Sequence, residues 1–142
     1  MLVGVINKNE KMMADYYGYK VRDTLYSGEN DYFRKNPHVS GMAAQDGNII
    51  FNPYSKNVNF DAVGNNEASR LWMRENNVVP KFNVTDEQKA AFRGTAYEND
   101  ENALKHTILA RIISGDPSAG KITPMQQTWA NWLSDNLNKR NK

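Results

Sequence analysis

Gly115-Asp116-Pro117-Ser118-Ala119-Gly120-Lys121 fits a phosphate-cradling P-loop up to its lysine, and a chain built around such a loop would be an α/β nucleotide-binding protein. Three features argue against that reading. The place after the lysine holds Ile122, where a P-loop needs a Ser or Thr hydroxyl for magnesium. The loop must also leave a buried strand, whereas Ala103, Leu104, Thr107, Ile108, Arg111 and Ile112 before it have helical spacing. Pro117 removes an amide donor from the cradle itself. The stretch therefore reads as a helix-to-helix connection. Asn99 or Asp100 caps a helix that Ser114-Gly115 closes, and Thr123-Pro124 with Gln126 supplies the N-cap, first-turn proline and capping-box partner of the next. On that last helix Met125, Trp129, Trp132, Leu133 and Leu137 read as one docking stripe.

The same logic extends towards the N-terminus. Thr85 with Gln88 is a capping box opening a short helix that Arg93-Gly94 stops. Phe60, Val63, Ala68, Leu71 and Trp72 predict a helix from Phe60 to about Glu75. Residues 39–44 and 49–52 are apolar runs around Asp46-Gly47, which predicts a hairpin with a primed turn, ended by Pro53. Before them, Met12, Met13, Tyr16, Tyr17, Tyr19 and Val21 keep a rough helical spacing. This predicts a helix from about Asn9 to Tyr26, broken by Ser27-Gly28, then a short turn of helix or irregular chain around Tyr32-Phe33. The expected fold is mainly α: a small helical domain with one β-hairpin over 38–142, preceded by an N-terminal helical or extended arm over 1–37.

A chain of 142 residues fits one domain, and its 39% hydrophobic content with a mean hydropathy of -0.76 is low for a self-sufficient globule. Part of its apolar surface is expected to be covered by a partner. A formal charge of +2 from 18 basic and 16 acidic residues provides no global field for nucleic acid. The absence of cysteine excludes disulfides, thiolate catalysis and cysteine-ligated metals. Met1-Leu2-Val3-Gly4-Val5-Ile6 is too short for a membrane span and lacks the pattern of a signal peptide.

Little in the chain reads as chemistry. His38 and His106 are far apart and belong to no metal-ligating pattern. Glu67 and Arg111 each interrupt an apolar helical stripe, and buried charges need partners, so a structural ion pair between them is expected. The sharper alternative makes Glu67 a general acid in an apolar setting, as in enzymes that cleave cell-wall glycans; Asp61, six positions earlier, would face away from it. No enzyme activity, cofactor or metal is expected.

Gly41-Met42-Ala43 with Ile49-Ile50 and Asn52-Pro53-Tyr54-Ser55, Asn66-Glu67-Ala68 with Arg70-Leu71 and Met73-Arg74, Thr85 with Glu87-Gln88 and Phe92, and Ala110-Arg111-Ile112 with Ser114 to Gly120 together resemble a group of small, podovirus-like virion-associated proteins of tailed bacteriophages. The resemblance covers about 39–127 and carries over no functional residue. It implies a structural virion protein of the tail or head-to-tail region, made in the host cytoplasm, with other virion proteins as partners and a homo-oligomer or ring as its assembly. Tyr16, Tyr17, Tyr19, Tyr32, Phe33, Trp129 and Trp132 are its interface candidates, since aromatic residues dominate such contacts. The alternatives are a phage lytic enzyme centred on Glu67 and an intracellular nucleic-acid-binding or host-takeover protein.

Overall fold

A computed structural model describes residues 2–5, 16–56 and 58–140. Its elements are β1 (Leu2–Val5), β2 (Thr24–Tyr26), α1 (Ser27–Lys35), β3 (Gly41–Ala43), β4 (Ile49–Phe51), α2 (Phe60–Glu75), α3 (Asp86–Ala91), α4 (Glu101–Ser114), a 3-10 turn (Pro117–Ala119) and α5 (Pro124–Arg140). The protein is mainly α-helical, with two small antiparallel sheets, β1–β2 and β3–β4. It divides into two compact units, Met1–Ala68 and Ser69–Lys142, the division falling within α2.

In the first unit the expected helix over Asn9–Tyr26 is replaced, where described, by a turn and a strand; 9–15 lie outside the described residues. Tyr17 and Gly18 have φ of 57° and 81°, and Tyr19 N–H donates to the Tyr16 carbonyl at 3.0 Å. Two consecutive left-handed residues form a primed turn and stop any helix. Glycine adopts this conformation freely, whereas Tyr17 is held in it against its preference. Thr24–Tyr26 then pairs with Leu2–Val5, with a register shift between Val3 and Val5. Ser27-Gly28, expected as a breaker, instead opens α1, where Glu29 Oε1 accepts from Tyr26 N–H at 2.8 Å and satisfies a donor at the helix start.

Leu25, Phe33, Ala44 and Ile50 share one core cluster, with Val39 and Met42 packed on it. Residues on both sides of the expected arm boundary at 37/38 thus share one core. Asn52 is buried and ties this region together. Its Nδ2 lies 2.6 Å from the Val39 carbonyl, 3.1 Å from that of Asn36 and 3.3 Å from that of Phe33, while its Oδ1 accepts from Tyr54 N–H at 2.8 Å. One amide thereby serves carbonyls at the end of α1.

The hairpin forms as expected, pairing Gly41 with Phe51, Met42 with Ile50 and Ala43 with Ile49. Its turn is different. Gly47 is left-handed (φ 86°) but Asp46 is not; Ala44 N–H donates to Asn48 and Gly47 N–H to Ala44, at 2.9 and 3.1 Å. This is a three-residue loop ending in a left-handed glycine rather than a primed turn. Asp46 accepts from Asn48 N–H at 3.1 Å and from Arg22 Nε at 2.9 Å, contacts that hold it there.

In the second unit the helix signals match the structure closely. Asp100 Oδ1 accepts from Ala103 N–H at 3.0 Å and Gly115 ends α4 with φ 74°, as a left-handed C-cap requires. Leu104, Thr107, Ile108, Leu109 and Ala110 bury α4. The Gly115–Gly120 stretch, preceded by a helix, contains the Pro117–Ala119 turn, with Asp116 Oδ1 accepting from Ser118 N–H at 2.9 Å. It connects two helices and has no strand-to-helix geometry.

Candidate functional site

The apolar residues of α5 divide between two faces. Ala130, Leu133 and Leu137, with Gln126, are buried, and this is the face that docks. Met125 and Trp132 are 55% and 42% exposed, and Trp129 is half-buried. Their i, i+4, i+7 spacing places them on a common face. The single docking stripe expected from the sequence is corrected accordingly: the leucines carry the packing, while Met125 and Trp132 remain outside. The rings of Trp72 and Trp129 each meet that of Trp132 edge-on at 5.5 Å, an arrangement favoured by aromatic quadrupoles. Trp132 is therefore presented as a braced, rigid surface group.

Gln126 is buried by a reciprocal amide pair. Gln88 Nε2 donates to Gln126 Oε1 at 2.7 Å, and Gln126 Nε2 to Gln88 Oε1 at 2.8 Å. Each oxygen also accepts from its own N-cap amide, Thr85 N–H at 3.0 Å and Thr123 N–H at 3.1 Å. Each nitrogen gives its second hydrogen to a backbone carbonyl, that of Lys121 at 3.3 Å and that of Asn83 at 3.0 Å. Two capping boxes are thus closed into one network, with the hydrogen-bonding capacity of both buried amides used.

That network anchors Val78–Thr85, a segment outside every helix and ladder. Val78 N–H donates to the Met73 carbonyl at 2.9 Å, and His106 Nε2 donates to the Val78 carbonyl at 2.6 Å. Between these ties and Asn83, burial alternates: Pro80, Phe82 and Val84 point inward, while Val79, Lys81 and Asn83 are exposed. This period of two is that of a pleated strand, and Pro80 restricts Val79 to extended conformations. Among the described residues, the backbone groups of Val79, Lys81, Phe82 and Val84 make no hydrogen bond within the chain. The segment borders an open cavity of about 710 Å³, lined by Val79 to Asn83, Thr85, Lys105, Thr123, Pro124 and Met125. Lys81 and Lys105 are the ionisable groups of that lining.

The structure treats the other residues singled out in sequence differently. Arg111 meets its own unit: Asp116 Oδ2 at 3.9 Å, Ser118 Oγ, and the Phe92 ring with its guanidinium carbon 4.7 Å from the centroid. These contacts arise because the turn after α4 brings acceptors back to the helix that carries Arg111. Burial opposes a low pKa for Asp116, but the Ser118 hydrogen bonds and the Arg111 charge hold its carboxyl below the ordinary value. Glu67 is buried and Asp61 exposed. His38 is exposed, and His106 serves as the Val78 tie. Of the expected anchors, Tyr16, Tyr19 and Phe33 are buried in the first unit and so are corrected from interface to core; Tyr17 is half-buried, while Tyr32 is 44% exposed. The described residues hold no cluster of His, Cys, Asp or Glu able to bind a metal, and no helix among them is long and apolar enough to cross a membrane. Sequence reasoning missed Val79, Lys81 and Lys105; the signal was the alternation in 78–85, which Pro80 obscures. No family model, curated protein or solved structure matches this chain.

Proposed function

We propose that the protein is an assembly component that acts through protein–protein contacts, a structural virion protein of a tailed phage at the tail or head-to-tail region. The observation that carries the assembly reading is the outward α5 face. Met125 and Trp132 remain exposed although Leu133 and Leu137 already bury the helix, and apolar groups presented in this way mark contact surfaces. The phage setting rests on the sequence resemblance.

Mass spectrometry of purified particles of the phage that encodes the chain tests the setting: a stoichiometric band is expected, and its absence removes the virion reading. Trp132→Glu tests the surface. Since Trp132 is partly exposed, the variant is expected to keep its helical circular dichroism and to be lost from particles. A variant incorporated at wild-type level would count against the α5 face as the contact.

A further inference from the structure

We propose that Val79–Val84 is a strand-addition site for an extended, acidic segment of a partner protein. The inference deepens the assembly reading and rests on it. An edge whose N–H and C=O groups lack partners is a template for another strand. Backbone groups of an extended segment alternate between its two edges, and Val79 and Lys81 share one edge on which, among the described residues, neither makes a backbone hydrogen bond within the chain. Its ends are tied down by Met73 and His106 at Val78, and by Gln126 at Asn83. A tethered edge loses less conformational freedom on pairing. Pro80 fits this role, since proline within sheets belongs to edge strands.

Side-chain alternation defines the occupant. Pro80, Phe82 and Val84 bind the segment to its own unit, so the free edge presents Val79, Lys81 and Asn83, with Lys105 and Met125 in the same cavity wall. The ionisable groups of that wall are two cations, Lys81 and Lys105, and its lining includes no carboxylate. A strand carrying Asp or Glu at alternate positions is complementary to them, a lysine-bearing one is repelled, and its apolar residues meet Val79 and Met125.

The test uses the full chain and three blocked octapeptides: alternating Val and Glu, alternating Val and Lys, and the Val/Glu sequence with N-methylated backbone amides. The Val/Glu peptide is expected to slow hydrogen exchange at Val79, Lys81 and Asn83 while leaving Phe82 and Val84 unchanged, to bind about tenfold more tightly than the Val/Lys peptide, and to weaken as salt is raised. N-methylation is expected to abolish binding. A Lys81→Glu/Lys105→Glu variant, in which position 81 is exposed and position 105 half-buried, is expected to prefer the Val/Lys peptide.

Unchanged exchange at these amides, or binding indifferent to peptide charge, overturns the proposal. So does protection that grows with protein concentration alone, which would make a second copy the occupant. Particle incorporation of the wild-type chain is scored separately. A chain present in particles yet blind to the peptides refutes strand addition and leaves the assembly reading standing; one that binds the Val/Glu peptide but is absent from particles supports the site and removes the virion reading.

Discussion

Replacing Gln126 with Met is expected to destabilise the second unit by about 2 kcal/mol, more than a near-isosteric change usually costs. Four groups lose a partner: Thr123 N–H, the Asn83 carbonyl, and both amide atoms of Gln88. Thr123 is half-buried and Asn83 exposed, so water can replace the lost bond at each. Gln88 is fully buried, at 0% exposure, but its Oε1 keeps the bond from Thr85 N–H and its Nε2 the bond to the Lys121 carbonyl, so each amide atom loses one bond of two, at about 0.5–1.5 kcal/mol. Two such losses give about 1–3 kcal/mol, with about 2 as the centre, or a fall in Tm of roughly 6 °C. Urea unfolding followed by far-UV circular dichroism measures it, and an unchanged m-value shows that the loss is one of stability. The matching test is Gln88→Met combined with Gln126→Met. Removing both amides deletes their two mutual bonds only once, so the double variant is expected to cost about 1–2 kcal/mol less than the two singles summed. A single-variant cost below about 1 kcal/mol, or additive singles, would refute the view that the network is a closed unit.

Arg22 is the corresponding tie in the first unit. It donates to Glu29 through two nitrogens at 2.9 and 2.8 Å, to Asp46 at 2.9 Å and to the Thr24 carbonyl at 2.7 Å. The hydrogen bonds from Arg22 hold the Glu29 carboxyl below its ordinary pKa despite burial, and at Asp46 bonds from Asn48 and Arg22 outweigh the opposing effect of burial. Groups with a depressed folded-state pKa stabilise above their unfolded values, about pH 4, and lose that contribution as pH falls through the folded ones. Arg22→Ala is expected to cost about 2–3 kcal/mol at neutral pH and to flatten the acid limb of the stability curve; an unchanged acid limb would contradict the assignment. Tyr16 is different, because its buried hydroxyl has no hydrogen-bond partner among the described residues. Burial, then the Asp61 charge, pushes its pKa up to about 12. Tyr16→Phe is expected to be neutral or to stabilise by about 1 kcal/mol, and to lessen the loss of stability above about pH 10, where the unfolded phenol ionises; clear destabilisation in thermal melts would count against it. Gly64→Ala is expected to destabilise by more than about 3 kcal/mol, since its methyl would sit 2.2 Å from the Tyr16 ring, and a thermal melt matching wild type would show that the ring moves aside.

The parts of the fold legible in the sequence were those with local chemical markers. Thr85 with Gln88, Asp100 with Gly115, and Thr123-Pro124 with Gln126 each announce a helix end, and each forms as expected. The Phe60–Glu75 helix also matches its spacing. The failures occurred where tertiary contacts decide. Nothing local shows that Tyr17 adopts a left-handed conformation, because tyrosine normally avoids it. On α5, Trp129-Trp132 and Leu133-Leu137 offer two adjacent apolar faces, and periodicity cannot say which one packs. The deciding residue is polar: Gln126, read only as a cap, faces inward because Gln88 meets it. The exposed edge was missed for a related reason, since a strand without a ladder partner has no second strand in the sequence to announce it.

The Gln88–Gln126 bridge has no formal charge, so ionic strength and mild acidity leave it intact. The lysines beside the edge it supports respond to ionic strength. Mutation can therefore alter one property of this surface while sparing the other: new charges around the cavity would retune partner choice on an unchanged framework, whereas a change to either glutamine would dismantle the framework beneath any choice of partner.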